Sequence, residues 1–254
     1  MPITFRKTTK SIGEFGYGAD SPFVTSSLQM NLDASNLSSY PQSGSGWADI
    51  SGIGNNYTLN GDITFDSANS GSLNFQNGAD ATSLNFGTTF VNDFTYEIWI
   101  NSDLLNGNIL SERDGGGWTV SLMGLVDGEV RVGFWVGGTA YIGIDTITTG
   151  SWNQIVMKYT NETGTLSGYV NGVLGNTESN LGKQYPGNYY ITIADDEVTN
   201  FGGGGLNYTG KISNVKYYDR ALSDAEVLQN YNALKNRYIL TSQPFESKVT
   251  FTAN

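Results

Sequence analysis

The chain has 254 residues, 33 of them glycine, with aromatics at 13% and charged residues at only 15%; this describes short strands joined by tight turns rather than a helical protein. A net charge of −11 repels phosphate backbones and anionic lipid heads, which argues against nucleic-acid and membrane-surface roles. With no His and no Cys, disulfides, the common zinc and copper sites, and Ser-His-Asp or Cys-His catalysis are excluded.

Residues 1–26 read as an N-terminal arm. Arg6, Lys7 and Lys10 make its start basic, and Gly13, Gly16, Gly18 and Pro22 break any regular element. Such a segment is either a frayed terminus or an anchoring arm that orders against a partner or a neighbouring subunit. Met1 to Lys7 lacks the apolar run of a signal peptide, and no stretch of about 18 apolar residues follows, so the expectation is a chain made in a cytoplasm and not inserted in a membrane.

From Ser27 the chain alternates. Leu28, Met30 and Leu32 form a first strand, the turn-rich stretch 40–56 carries Trp47, and short strands recur near Tyr57, Ile63, Leu73 and Leu84 at a spacing of about ten residues that suits a sandwich. Period two places Phe94, Tyr96, Ile98 and Ile100 on one face of a strand and Thr95, Glu97 and Trp99 on the other. In 129–136 it turns Val130, Val132, Phe134 and Val136 inward and Arg131 and Trp135 outward. Ile155, Met157 and Tyr159 repeat the pattern after Trp152, and Asn171-Gly172 predicts a hairpin over 166–174. Two more strands, 189–193 and 211–217, flank a long loop with Asp195-Asp196-Glu197 and four consecutive glycines, Gly202 to Gly205. That glycine run lacks the Lys-Ser/Thr and the helix start of a phosphate cradle. Asn36, Asn56, Asn161 and Asn207 begin glycosylation sequons that read as turn asparagines.

A capping box, Ser223 with Glu226, opens a helix over 223–238 with Val227, Leu228, Tyr231, Leu234 and Tyr238 as its apolar stripe. The tail 239–254, broken at Pro244, alternates over 248–252 like an added strand that could pair within the fold or with a neighbour. The residues therefore describe an all-β antiparallel sandwich, 27–238, closed by one C-terminal α-helix.

The run Phe94-Thr95-Tyr96-Glu97-Ile98-Trp99-Ile100, then Ile109-Leu110-Ser111-Glu112, Ser151-Trp152-Asn153-Gln154-Ile155-Val156, Gly168-Tyr169-Val170-Asn171-Gly172-Val173 and the closing Tyr208 to Ser223 resemble the laminin G-like branch of the concanavalin A-like lectin/glucanase jelly roll. The order of these motifs agrees across 28–238. The opening Leu32-Asp33-Ala34-Ser35-Asn36, with Ser39-Tyr40-Pro41 and Trp47-Ala48-Asp49-Ile50-Ser51-Gly52, is similar to a version of this domain common in structural proteins of tailed bacteriophages. That resemblance implies a virion component, on capsid or tail, with other virion proteins as partners and homo-oligomer formation as an open alternative.

Glucanases of this fold carry two Glu flanking an Asp along one strand, whereas this chain has only Glu112-Arg113-Asp114. The expectation is a non-enzymatic protein, with no catalytic residues. For glycan binding, the alternative function, the candidates are Trp118, Trp135 and Tyr141 as stacking surfaces and Asp114 as a hydrogen-bonding group. Trp99 and Trp152 stand where the family tends to carry Trp and are read as packing. The Asp195-Asp196-Glu197 loop has two readings: a solvated acidic rim, or a calcium site on Asp195 and Asp196 of the kind laminin G-like domains often hold. Calcium is the one cofactor considered, and Asp49 and Asp66 are further oxygen donors in turns.

Overall fold

Strand Phe94–Ser102 shows how sequence becomes architecture. Its inward set, Phe94, Tyr96, Ile98 and Ile100, is at most 1% exposed, and its outward set, Thr95, Glu97 and Trp99, is equally buried, so this strand is covered on both faces. The protein is described by a computed structural model over residues 22–83, 92–113, 119–135, 139–181, 190–195 and 207–239. These hold β1 (Leu28–Asp33), β2 (Gly46–Trp47), β3 (Tyr57–Asp66), β4 (Ser72–Thr82), β5 (Phe94–Ser102), β6 (Gly107–Arg113), β7 (Thr119–Val126), β8 (Glu129–Trp135), β9 (Thr139–Thr146), β10 (Trp152–Thr160), β11 (Thr165–Val170), β12 (Val173–Glu178), β13 (Tyr190–Ile193) and β14 (Gly210–Tyr218), then helices α1 (Asp224–Leu234) and α2 (Asn236–Ile239).

All named strand pairings are antiparallel. The hydrogen-bonded path runs β12-β11-β10-β5-β14-β4-β13-β6-β7-β8-β9, with β1 on β14 and β3 on β4. The path turns from one layer to the other along β4, whose start (Leu73, Phe75) pairs with β14 and whose end (Ala81, Thr82) pairs with β13. Its two ends return to each other, because Asn176 Nδ2 on β12 donates to the Gly143 carbonyl on β9 at 3.0 Å. Between the layers lies one core, in which Ile98, Ile100, Ile155, Met157 and Val215 meet Leu110, Met123, Val132, Ile191 and Ile193. The expected hairpin is present: Val170 pairs with Val173, and Asn171 (φ 54°) and Gly172 (φ 76°) occupy the two left-handed positions of its turn.

Strand β1 would leave a sheet edge bare, and side chains cover it. Asn31 N–H donates to Asp49 Oδ1 (2.8 Å), Asp33 N–H to Ser39 Oγ (3.0 Å), and the Gln29 carbonyl accepts from Asn55 Nδ2 (2.7 Å). The Asp49 carboxylate also takes the N–H groups of Ser51, Gly54 and Asn55, so this oxygen donor organises its own loop. Asp66 is likewise occupied, by Lys211 at 2.6 Å and the N–H of Ala68.

Helix α1 covers the outer face of the β10-β5-β14 layer. Its capping box forms as the sequence implies, with Ser223 and Glu226 reciprocally bonded. The buried stripe differs from the expected one: Leu228 is 45% exposed, while Asn230 is fully buried. Asn230 points inward because polar partners await it there. Its Nδ2 donates to Glu97 Oε2 at 2.6 Å and to the Tyr218 hydroxyl at 3.0 Å, and Glu97 pairs with Lys216 at 3.2 Å, both side chains wholly buried. Burial drives the Lys216 ammonium pKa down. Trp99 packs as expected, stacked under Tyr231 (5.7 Å) and Tyr238 (4.4 Å), with Trp152 4.6 Å from Tyr238. Residues 22–24, which the sequence places in the arm, pack on this face, with Val24 buried.

Candidate functional site

One outer face lies under the helix; on the other layer β8 and β9 form a hairpin. Met123, Leu125, Val130, Val132, Phe134, Ile142 and Ile144 fill the core, so alternation sends Arg131 and Tyr141 to the outside. Arg131 sits opposite Gly124 of β7 and Gly143 of β9, and Tyr141 opposite Gly133. Glycine at the two directly opposite positions places no side chain there. A Cβ at Gly143 would fall 2.2 Å from Glu129 Oε1, so glycine there is what lets the carboxylate lie over the strand.

Glu129 in turn orients the arginine. Arg131 Nε donates to Glu129 Oε2 at 2.6 Å, and the guanidinium carbon stands 5.0 Å from the Tyr141 ring centroid, a cation–π stack. Tyr141 is 42% exposed, and Asp145, four residues further along β9, is also exposed. The cluster offers an aromatic surface, a planar donor fork and a carboxylate acceptor within one hairpin, the combination that a ring with an apolar face and hydroxyl edges can use.

Of the expected site residues, Tyr141 is on this face. Trp118, Asp114, Asp196 and the arm residues Arg6, Lys7 and Lys10 lie outside the described residues. Trp135 ends β8, its backbone paired with Thr139, and its side chain is outside the description. Asp195 follows β13 and is buried; among the described residues no cluster of three or more acidic or metal-ligating side chains is present. Glu112, the glutamate of the incomplete glucanase motif, faces the core, fully buried, where it accepts a hydrogen bond from the Tyr96 hydroxyl. Reading the sequence for aromatics passed over Glu129 and the Arg131 stack; the outward arginine flanked by Gly124 and Gly143 was the available signal.

The model of the concanavalin A-like lectin/glucanase superfamily, laminin G type, matches residues 74–228, more than half of the chain, and the chain belongs to that family. Among solved structures, the binding domain of Paraclostridial Mosquitocidal Protein 1 is similar at TM-score 0.63 and 16% identity over 82% of this chain and 52% of that one. The binding domain of a botulinum neurotoxin of serotype D/C is similar at TM-score 0.62 and 15% identity, over 83% and 53%. This chain thus spans about half of each toxin domain. Domain 4 of AbnA, an extracellular arabinanase of Geobacillus stearothermophilus solved with arabinotriose, is similar at TM-score 0.60 and 14% identity over 80% of this chain and 98% of that domain. No match was found among curated protein sequences.

Proposed function

We propose that this chain is a non-catalytic recognition module that binds a glycan on the outer face of β7-β8-β9. The observation that carries this reading is the Glu129–Arg131–Tyr141 cluster, a preorganised aromatic and hydrogen-bonding surface on the layer that the helix leaves uncovered. The match to a whole domain solved with an arabinose oligosaccharide supports the ligand class. A non-catalytic role is supported by the lack of His and Cys and by the placement of Glu112 between the layers, away from any solvent-borne substrate.

The particle that carries the module is proposed to be a tailed bacteriophage, from the resemblance of residues 32–52 to phage structural proteins. The module would then decorate the virion, on capsid or tail, and adhere to host or environmental polysaccharide. A glycan array probed with the wild type, Tyr141→Ala, Arg131→Ala and Trp135→Ala tests the ligand. Binding by the wild type that the first two substitutions abolish is expected; a blank array for the wild type defeats the glycan reading. Mass spectrometry of purified particles tests the location, which fails if the chain is missing from them.

A further inference from the structure

Residues 22–26 are held on the helix-covered face like a bound peptide. No strand ladder secures them; side chains do. Asn230 Oδ1 accepts from Val24 N–H at 2.8 Å, the Tyr218 hydroxyl donates to the Val24 carbonyl at 2.9 Å, and Gln229 Nε2 donates to the Pro22 carbonyl at 2.6 Å. Arg220 Nε reaches the Ser26 carbonyl at 3.3 Å, Phe23 lies over the Lys216 ammonium at 4.9 Å, and Val24 is buried with Val156, Tyr218, Leu222 and Val227. Together α1 and β14 form a slot that reads an extended backbone and one apolar side chain.

The link between this strap and the body is a single tight turn. Leu28 N–H bonds back to the Thr25 carbonyl at 3.2 Å, and Ser27 sits at φ 61°, a left-handed conformation that costs a non-glycine residue free energy. A strap joined through a short strained turn to a slot built for it has the ingredients of an exchangeable element. Opening the turn relieves the Ser27 conformation while every slot contact can be remade by an identical strap.

We infer that the α1–β14 slot is an interaction surface for a second copy of this chain, which enters by exchanging its residues 22–26. The inference does not depend on glycan binding. The absence of Cys makes a clean test available in the full chain. Pro22→Cys and Gln229→Cys are made separately and together, and each is treated with a short bismaleimide across a range of protein concentrations. Exchange predicts a cross-linked dimer when the two single variants are mixed, rising with concentration and absent for either variant alone. It also predicts that Ser27→Gly, which fits the left-handed turn, lowers dimer formation about fivefold, the equivalent of roughly 1 kcal/mol of relieved strain. If the doubly substituted chain cross-links only within itself and the mixture yields no dimer at any concentration, the strap serves its own slot alone and the inference is overturned.

Discussion

The two outer faces of the sandwich use an acid, a base and a tyrosine for opposite ends. On the helix face, Glu97, Lys216 and Tyr218 are fully buried and joined through Asn230. On the open face, Glu129, Arg131 and Tyr141 keep contact with water, at 43%, 21% and 42% exposure. Buried, an acid and a base must satisfy each other or cost several kcal/mol, so they dictate what packs on them: an asparagine, a helix and a strap. Exposed, a similar pair contributes about 0–1 kcal/mol to stability and remains able to meet a ligand. Burial, more than residue type, separates the two faces.

The largest expected effect comes from the tyrosines of the core and the helix face. Desolvation pushes the hydroxyl pKa of Tyr57, Tyr96, Tyr208, Tyr217 and Tyr218 up from 10. Their folded-state values lie above the unfolded one, so the stability they contribute is complete below pH 10 and is lost as pH rises beyond it. Each therefore adds to a loss of stability that steepens as pH rises above 10. Tyrosinate absorbance and near-UV circular dichroism should therefore change together in one sharp transition above pH 10. Gradual titration of these tyrosines with the dichroism retained would contradict their burial.

Next is the ion pair under the helix. Glu97→Leu leaves Lys216 buried without its carboxylate and deprives Asn230 of an acceptor, for an expected loss of about 3–5 kcal/mol in urea unfolding. Adding Lys216→Met should recover most of it. A double variant no more stable than the single one would mean that the pair is not the source of the penalty.

How far the sequence reached follows the same divide. Alternation, the Asn171-Gly172 turn and the Ser223–Glu226 box are local signals, set by backbone geometry within a few residues, and each appears in the structure. The family's Trp positions read correctly as packing: Trp99 on β5 and Trp152 on β10 both pack against Tyr238. Glu97 and Lys216 look like solvent-facing residues in an alternating pattern, and their burial comes from elements more than a hundred residues apart meeting in space. Asn230 stood on the helix's inner stripe, one turn from Val227 and Leu234, but a polar residue at such a position identifies no partner. On the open face Tyr141 was legible as an aromatic outside the core, while the Glu129–Arg131 pairing needed the strand register.

Smaller effects come from the helix start, at the border of the two regimes. Arg220 holds the Glu226 carboxyl down at about 2 by a two-pronged contact of 2.7 and 2.9 Å. A folded-state value below the unfolded one gives stability that is present above pH 4.5 and lost as pH falls toward 2. Ser223→Ala, which removes the cap, should cost about 1 kcal/mol, and Glu226→Gln should flatten the acid limb of the melting temperature. An unchanged acid limb in Glu226→Gln would transfer that dependence to other carboxylates.

The smallest stability effects are expected where binding should respond most. Tyr141→Ala and Arg131→Ala remove partly exposed side chains, and should change unfolding free energy by no more than about 0.5 kcal/mol. Arg131→Lys preserves the charge yet replaces a planar fork, stacked on Tyr141 and steered by Glu129, with a flexible ammonium. If the site works through fixed geometry, Arg131→Lys should weaken glycan affinity about tenfold, a difference of roughly 1.4 kcal/mol, with its melting temperature unmoved. Equal affinity of the arginine and lysine proteins would mean that charge alone is read. The open face would then hold no preorganised site, and its contrast with the helix face would reduce to exposure.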